Sequence, residues 1–169
     1  MDKSGNYMLS DYKVAGYVKL AKLWERASQE AVEYHRKYYE EKYSESDMYL
    51  AGVYLDITGN KEIYKRPEMV HLIKACLTGK VNVIDVQSKA YLAANSEEFC
   101  FLVYFLFNSP YRIEIISDDD NMRIDTILDV DNQRENLKSM ANRYVGLERN
   151  EYERWSKKLC KAIDEISME

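Results

Sequence analysis

Four short runs rich in Val, Ile and Leu constrain the fold more than any other feature of this chain. They are residues 13–20 (KVAGYVKL), 50–56 (LAGVYLD), 81–86 (VNVIDV) and 112–117 (RIEIIS). Each is separated from the next by a stretch of helical composition, so consecutive strands cannot meet through a tight hairpin and must cross over. That pattern predicts an α/β domain in three layers around a mainly parallel sheet of four to five strands. The helical stretches carry their own punctuation. Residues 22–44 lack Gly and Pro and are rich in Ala, Glu, Lys and Tyr, with Ala27, Ala31, Tyr34 and Tyr38 on one face. Thr58-Gly59-Asn60 breaks the second strand, and Pro67 opens a helix over 67–77 that turns Met69, Leu72, Ile73 and Cys76 inward and stops at Gly79. Ser96 is the expected N-cap of a helix running to about Asn108, with Glu97 and Glu98 in its first turn. That helix is apolar on nearly every side and must be covered.

Residues 1–130 form this α/β unit, and residues 131–169 form a helical extension, either one long kinked helix or a pair. Leu137, Met140, Tyr144 and Leu147 make one apolar stripe there, and Tyr152, Trp155, Leu159, Ile163 and Ile166 make another. Such stripes need a surface, supplied by the chain's own domain or by a second copy.

Charge limits the function. The net charge is −5, and residues 132–169 hold 8 Lys/Arg against 7 Asp/Glu, which leaves −6 for everything before them. A free-standing nucleic-acid binder needs the opposite balance. Arg154, Lys157, Lys158 and Lys161 are the best candidate DNA contacts, diluted by Glu151, Glu153, Asp164 and Glu165, so any DNA binding is expected to be weak or indirect. Cys76, Cys100 and Cys160 are far apart and without a CxxC pair, as in buried thiols of a reducing compartment. The longest apolar run, 99–107, is too short to span a bilayer and the N-terminus is too polar for a secretory signal. A cytoplasmic protein is expected.

Single candidates for chemistry are few. His35 and His71 have no triad or ligand spacing, and Asp118 to Asp120 suit a solvated turn better than a metal site, so neither metal nor cofactor is implied. Lys13, Lys19 and Lys22 could together mark an anion pocket. Of the 15 tyrosines, Tyr34, Tyr38, Tyr39 and Tyr43 cluster among Glu33, Glu40 and Glu41, which favours packing over a base-stacking platform.

In this order the elements resemble the N-terminal catalytic domain of the serine recombinases, the resolvase and invertase family, and especially its large transposon-type members. The resemblance covers roughly residues 13–130, and more loosely the terminal helix. It is most specific over 51–80, with Tyr54 and Asp56 at a strand end, Thr58-Gly59 for a Ser-Gly loop, Lys65-Arg66-Pro67-Glu68 at a helix start, and Gly79-Lys80 before the third strand. Ser28 is retained on the first helix, with Val32 where the family has glutamine, and Ser117 to Asp120 and Ile124 to Thr126 echo the end of the fourth strand.

The resemblance implies a serine that attacks a phosphodiester, and arginines that neutralise the charge growing on the phosphoryl oxygens. The family's first strand ends in Tyr-x-Arg-x-Ser; here it is Tyr17, Lys19 and Ala21. After the third strand the family carries Ser-x-Ser-Arg-Phe-x-Arg-Asn; here Tyr91 and Ala94 replace the arginines while Ser88, Leu92 and Asn95 remain. Alanine has no attacking atom, and lysine keeps charge without the bidentate fork of arginine. The family positions retained are Tyr17, Ser28, Asp56, Gly59, Arg66, Pro67, Ser88 and Asn95. The expectation is a recombination-related module without strand cleavage, pairing with itself or with an active recombinase through the C-terminal helix. Two alternatives are a recombinase using a displaced serine and an α/β domain re-purposed to bind a small anion. No counterpart of the family's C-terminal DNA-binding domains is expected before Glu169.

Overall fold

The computed structural model describes residues 8–118, 122–125 and 149–167. Its strands are β1 (Lys13–Leu20), β2 (Tyr49–Ile57), β3 (Val83–Val86), β4 (Glu114–Ser117) and β5 (Met122–Asp125). The helices are α1 (Ser28–Tyr43), α2 (Pro67–Leu77), α3 (Ser96–Phe107) and α4 (Arg149–Ser167). The sheet order is β2-β1-β3-β4-β5, with the first four strands parallel and β5 antiparallel to β4.

Alternation along the strands builds two cores. Ala15 and Tyr17 of β1 and Ile84 and Val86 of β3 face α2 and α3, in one cluster with Met69, Leu72, Ile73, Cys76, Leu102 and Leu106. Val14 and Val83 face the other way, with Tyr12, Tyr43 and Met48. On that second face Gly16 is required: a Cβ there would lie 2.5 Å from the Tyr39 ring. Tyr39 cannot withdraw, because its hydroxyl donates to the Asp85 carbonyl at 2.8 Å.

Buried Asp85 on β3 is the polar centre of the α1 interface. Tyr43 donates its hydroxyl to Asp85 Oδ2, and Lys42 Nζ lies 2.8 Å from the same oxygen and 3.2 Å from Asp118. Burial, reinforced by Asp85, pushes the Tyr39 and Tyr43 hydroxyls above the ordinary tyrosine range, and burial does the same to Tyr17. A group whose folded pKa is raised stabilises the fold fully below its unfolded value and loses that contribution as pH rises. Stability should therefore fall steeply above about pH 10. A tyrosinate titration should show these rings ionising only together with unfolding; ionisation of every tyrosine in an intact fold would contradict the packing.

Helix α4 lays the second stripe on its own domain. Leu159 is fully buried, and Tyr152, Trp155, Ile163 and Ile166 pack on the α2–α3 core. The Phe101 ring lies 5.5 Å from both Tyr152 and Trp155, and Tyr104 lies 5.0 Å from Tyr152. This covers the apolar outer side of α3. The stripe at Leu137, Met140, Tyr144 and Leu147 lies outside the described residues. No helix among the described residues is long and apolar enough to cross a membrane.

Several local expectations are corrected. Residues 22–27 form a 3-10 turn before α1, and the buried face of α1 is Ala31, His35 and Tyr39, leaving Tyr34 67% exposed. Asn95, not Ser96, caps α3, accepting from Glu98 N at 2.8 Å. Cys76 and Cys100 are buried, but Cys160 is exposed on the outer side of α4.

Candidate functional site

Because β1, β2 and β3 are parallel, their carboxyl ends lie at one edge of the sheet, where α/β folds place their ligand sites. The register pairs Lys19 with Asp56 and Leu20 with Ile57, and Thr58 N donates to Leu20 O at 3.0 Å. Ala21, the Thr58-Gly59 turn and the segment 87–95 after β3 therefore leave neighbouring strands at the same edge. Ala21 and Ala94 are exposed there, and Tyr91 is half-buried.

Beneath this edge lies a continuous polar network. Asp56 is 4% exposed at the end of β2. It accepts from Glu68 N at 3.0 Å and Met69 N at 2.9 Å, so it satisfies the free N–H groups of α2, which begins at Pro67. The Tyr17 hydroxyl donates to Asp56 Oδ2 at 2.8 Å and accepts from Arg66 Nη1 at 3.3 Å. Arg66 also donates from Nη1 to the Tyr91 carbonyl at 2.7 Å and from Nη2 to the Leu92 carbonyl at 2.6 Å. Four retained or altered family positions, Tyr17, Asp56, Arg66 and Tyr91, are thus joined in one chain of contacts. It ties four segments together: β1, the end of β2, the start of α2 and the loop after β3.

This arrangement decides what Arg66 can do. It is 1% exposed, and both terminal nitrogens are aimed at main-chain carbonyls. A guanidinium so placed holds the 88–95 segment and presents no fork to a phosphate at the surface. Its Nε has no protein partner. Lys19 and Lys22 are at the carboxyl edge, but Lys13 begins β1 at the opposite edge and donates to Gly79 O at 3.1 Å. The three lysines do not share a pocket.

The remaining retained positions act on the backbone. Ser88 accepts from Ala90 N at 3.2 Å and caps the short turn at 89–91, and Asn95 caps α3. Ser28 opens α1, half-buried. Gly59 is exposed with nothing within 4 Å of a Cβ placed on it, so no close contact demands glycine there. On α4, Arg154 pairs with Glu151 at 3.0 Å. Lys158 Nζ lies 3.3 Å from the Tyr64 hydroxyl and 5.1 Å from its ring centre, beside the turn that follows β2. Lys157 and Lys161 are exposed on the same outer side. Sequence reasoning missed the Asp85–Lys42–Asp118 group, whose one visible signal was an aspartate inside the run VNVIDV.

No protein-family model and no curated protein matches this chain. Solved structures do. The N-terminal catalytic domain of TP901-1 integrase superposes with a TM-score of 0.55 at 17% identity, covering 82% of this chain and 97% of that one. A resolvase family site-specific recombinase from Streptococcus pneumoniae gives 0.53 at 16% identity, covering 88% of this chain and 95% of that one. The chain has the resolvase-like α/β fold, as the resemblance in its sequence implied.

Proposed function

We propose that this chain is a recombination-related module that does not cut DNA, and that it acts as an accessory or regulatory partner. The observation that carries this reading is the pairing of Ala21 at the end of β1 with an Arg66 wholly enclosed by Tyr17, Tyr91 and Leu92. The first removes the attacking oxygen. The second withdraws the one guanidinium joined to that network, while Tyr91 and Ala94 supply none. Losing a stabilising donor of this kind costs roughly two to three orders of magnitude in rate. A displaced serine fares no better: Ser88 serves as a cap, and Ser28 would meet the same shortage of guanidiniums.

The test is incubation of the chain with supercoiled DNA and a search for a covalent protein–DNA adduct and relaxed product. No adduct is expected from the natural chain. Ala21→Ser alone is also expected to give none, because a hydroxyl without charge stabilisation remains a poor nucleophile. An adduct with the natural chain would overturn the proposal. As for partners, α4 spends its stripe on its own domain, so association with a second copy or an active recombinase is proposed through the upstream stripe at Leu137–Leu147. Solution mass, alone and mixed with an active recombinase, tests it.

A further inference from the structure

A cavity of 250 Å³ opens between the second half of α2, strand β2 and the last turn of α4, at the other end of α2 from Asp56. Tyr54, His71, Lys74, Thr78, Lys80 and Ile166 line it. Its lining includes two ammonium groups, an imidazole and two hydroxyls, and no carboxylate among the described residues. Neither Lys74 nor Lys80 has an ion-pair partner among the described residues. Outside the lining, Glu165 adjoins Ile166 on α4, Asp56 lies two residues after Tyr54, and Glu68, one turn before His71 on α2, lies within electrostatic reach of both Tyr54 and His71.

The site is built on rigid backbone. Gly79 closes α2 with φ +78, and the Lys80 and Val81 N–H groups both donate to Ala75 O, at 2.9 and 3.2 Å. A Cβ on Gly79 would meet the Tyr111 ring at 2.9 Å, so this turn is fixed from both sides. The Thr78 hydroxyl is spent on the Lys74 and Ala75 carbonyls. The donors left for a ligand are Lys74, Lys80, His71 and the Tyr54 hydroxyl, which burial keeps protonated. The negative end of the α2 dipole lies here, so main-chain N–H groups cannot hold an anion and the lysines must.

We propose that this cavity binds a small phosphate monoester, its phosphoryl oxygens between Lys74 and Lys80 and its body against Tyr54 and Ile166. A recess of this size takes a phosphoryl group and a few more atoms. Duplex DNA is disfavoured, since its phosphates lie on a convex surface and a polyanion also meets the net negative charge, whereas a small dianion is governed by charges within about 8 Å. The proposal stands apart from the recombination reading, because it uses none of Ala21, Arg66, Tyr91 and Ala94.

The test titrates the full chain with inorganic phosphate and follows the amide resonances of Thr78, Gly79 and Lys80, with chloride at matched ionic strength as control. Saturable shifts confined to this region are expected, and Lys74→Gln and Lys80→Gln should each weaken binding about tenfold. Thermal unfolding of both variants checks that the fold is intact. Shifts no larger than those from chloride, or unaltered affinity in the two variants, would overturn the proposal. A short DNA duplex that displaces phosphate from these amides would overturn it too, by making the cavity a backbone contact.

Discussion

Replacing Arg66 with alanine should remove about 3–5 kcal/mol of folding stability, as expected when one member of a buried charged network is deleted. The side chain is 1% exposed and donates to three oxygens on two segments: the Tyr17 hydroxyl and the Tyr91 and Leu92 carbonyls. Alanine would leave those carbonyls without their donor, and Tyr17 would keep only its bond to Asp56. Its guanidinium also lies 5.9 Å from the Tyr17 ring centre, so packing is lost with the charge. Arg66→Lys separates shape from charge. An ammonium on a shorter, unforked stem cannot span the same three acceptors, so an intermediate loss is expected. Urea unfolding measures both, and hydrogen exchange at residues 91–95 should quicken in Arg66→Ala before the sheet opens. A loss below about 1 kcal/mol, the range of an exposed surface pair, would mean that Arg66 is not the anchor of that loop.

This anchor also shows where sequence reading succeeds and where it stops. Helix α2 was legible to the residue because Pro67, the spacing of Met69, Leu72, Ile73 and Cys76, and Gly79 all act locally. β1 was legible because both its faces are buried, which leaves an unbroken apolar run. The face of α1 was not. Tyr34 and Tyr39 are equally good candidates by hydropathy, and the choice falls to Tyr39 because Gly16, on another element, leaves room for its ring. Asn95 and Ser96 are both good caps, and only the extended backbone at Asn95 (φ −150) decides between them. At the site, the identities of Ala21, Tyr91 and Ala94 could be read from the sequence. What Tyr91 contributes is its main-chain oxygen, which any residue would supply. The role of Arg66 as a clamp therefore leaves no trace in the sequence, where it reads only as part of the Lys-Arg-Pro-Glu start of a helix.

Leu159→Ala is expected to cost about 2–5 kcal/mol, the range for emptying a fully buried leucine site. Leu159 is 0% exposed, at the centre of a stripe whose flanks, Trp155 and Ile163, rest on the α2–α3 core. The result bears on function as well as stability. If α4 belongs to its own domain, the loss should not depend on protein concentration; if the helix were held by a second copy, dilution alone would lower the unfolding midpoint. Trp155 provides the signal, since its ring packs edge-on to Phe101 while Trp24 is 47% exposed. Undocking α4 to free its stripe for a partner would uncover Phe101 and Leu159 together, an expense that any partner contact would have to offset. An accessory role is thus better served by surfaces outside this stripe. A midpoint for the natural chain that falls on dilution, with Trp155 becoming exposed in step, would show instead that the helix is shared between molecules.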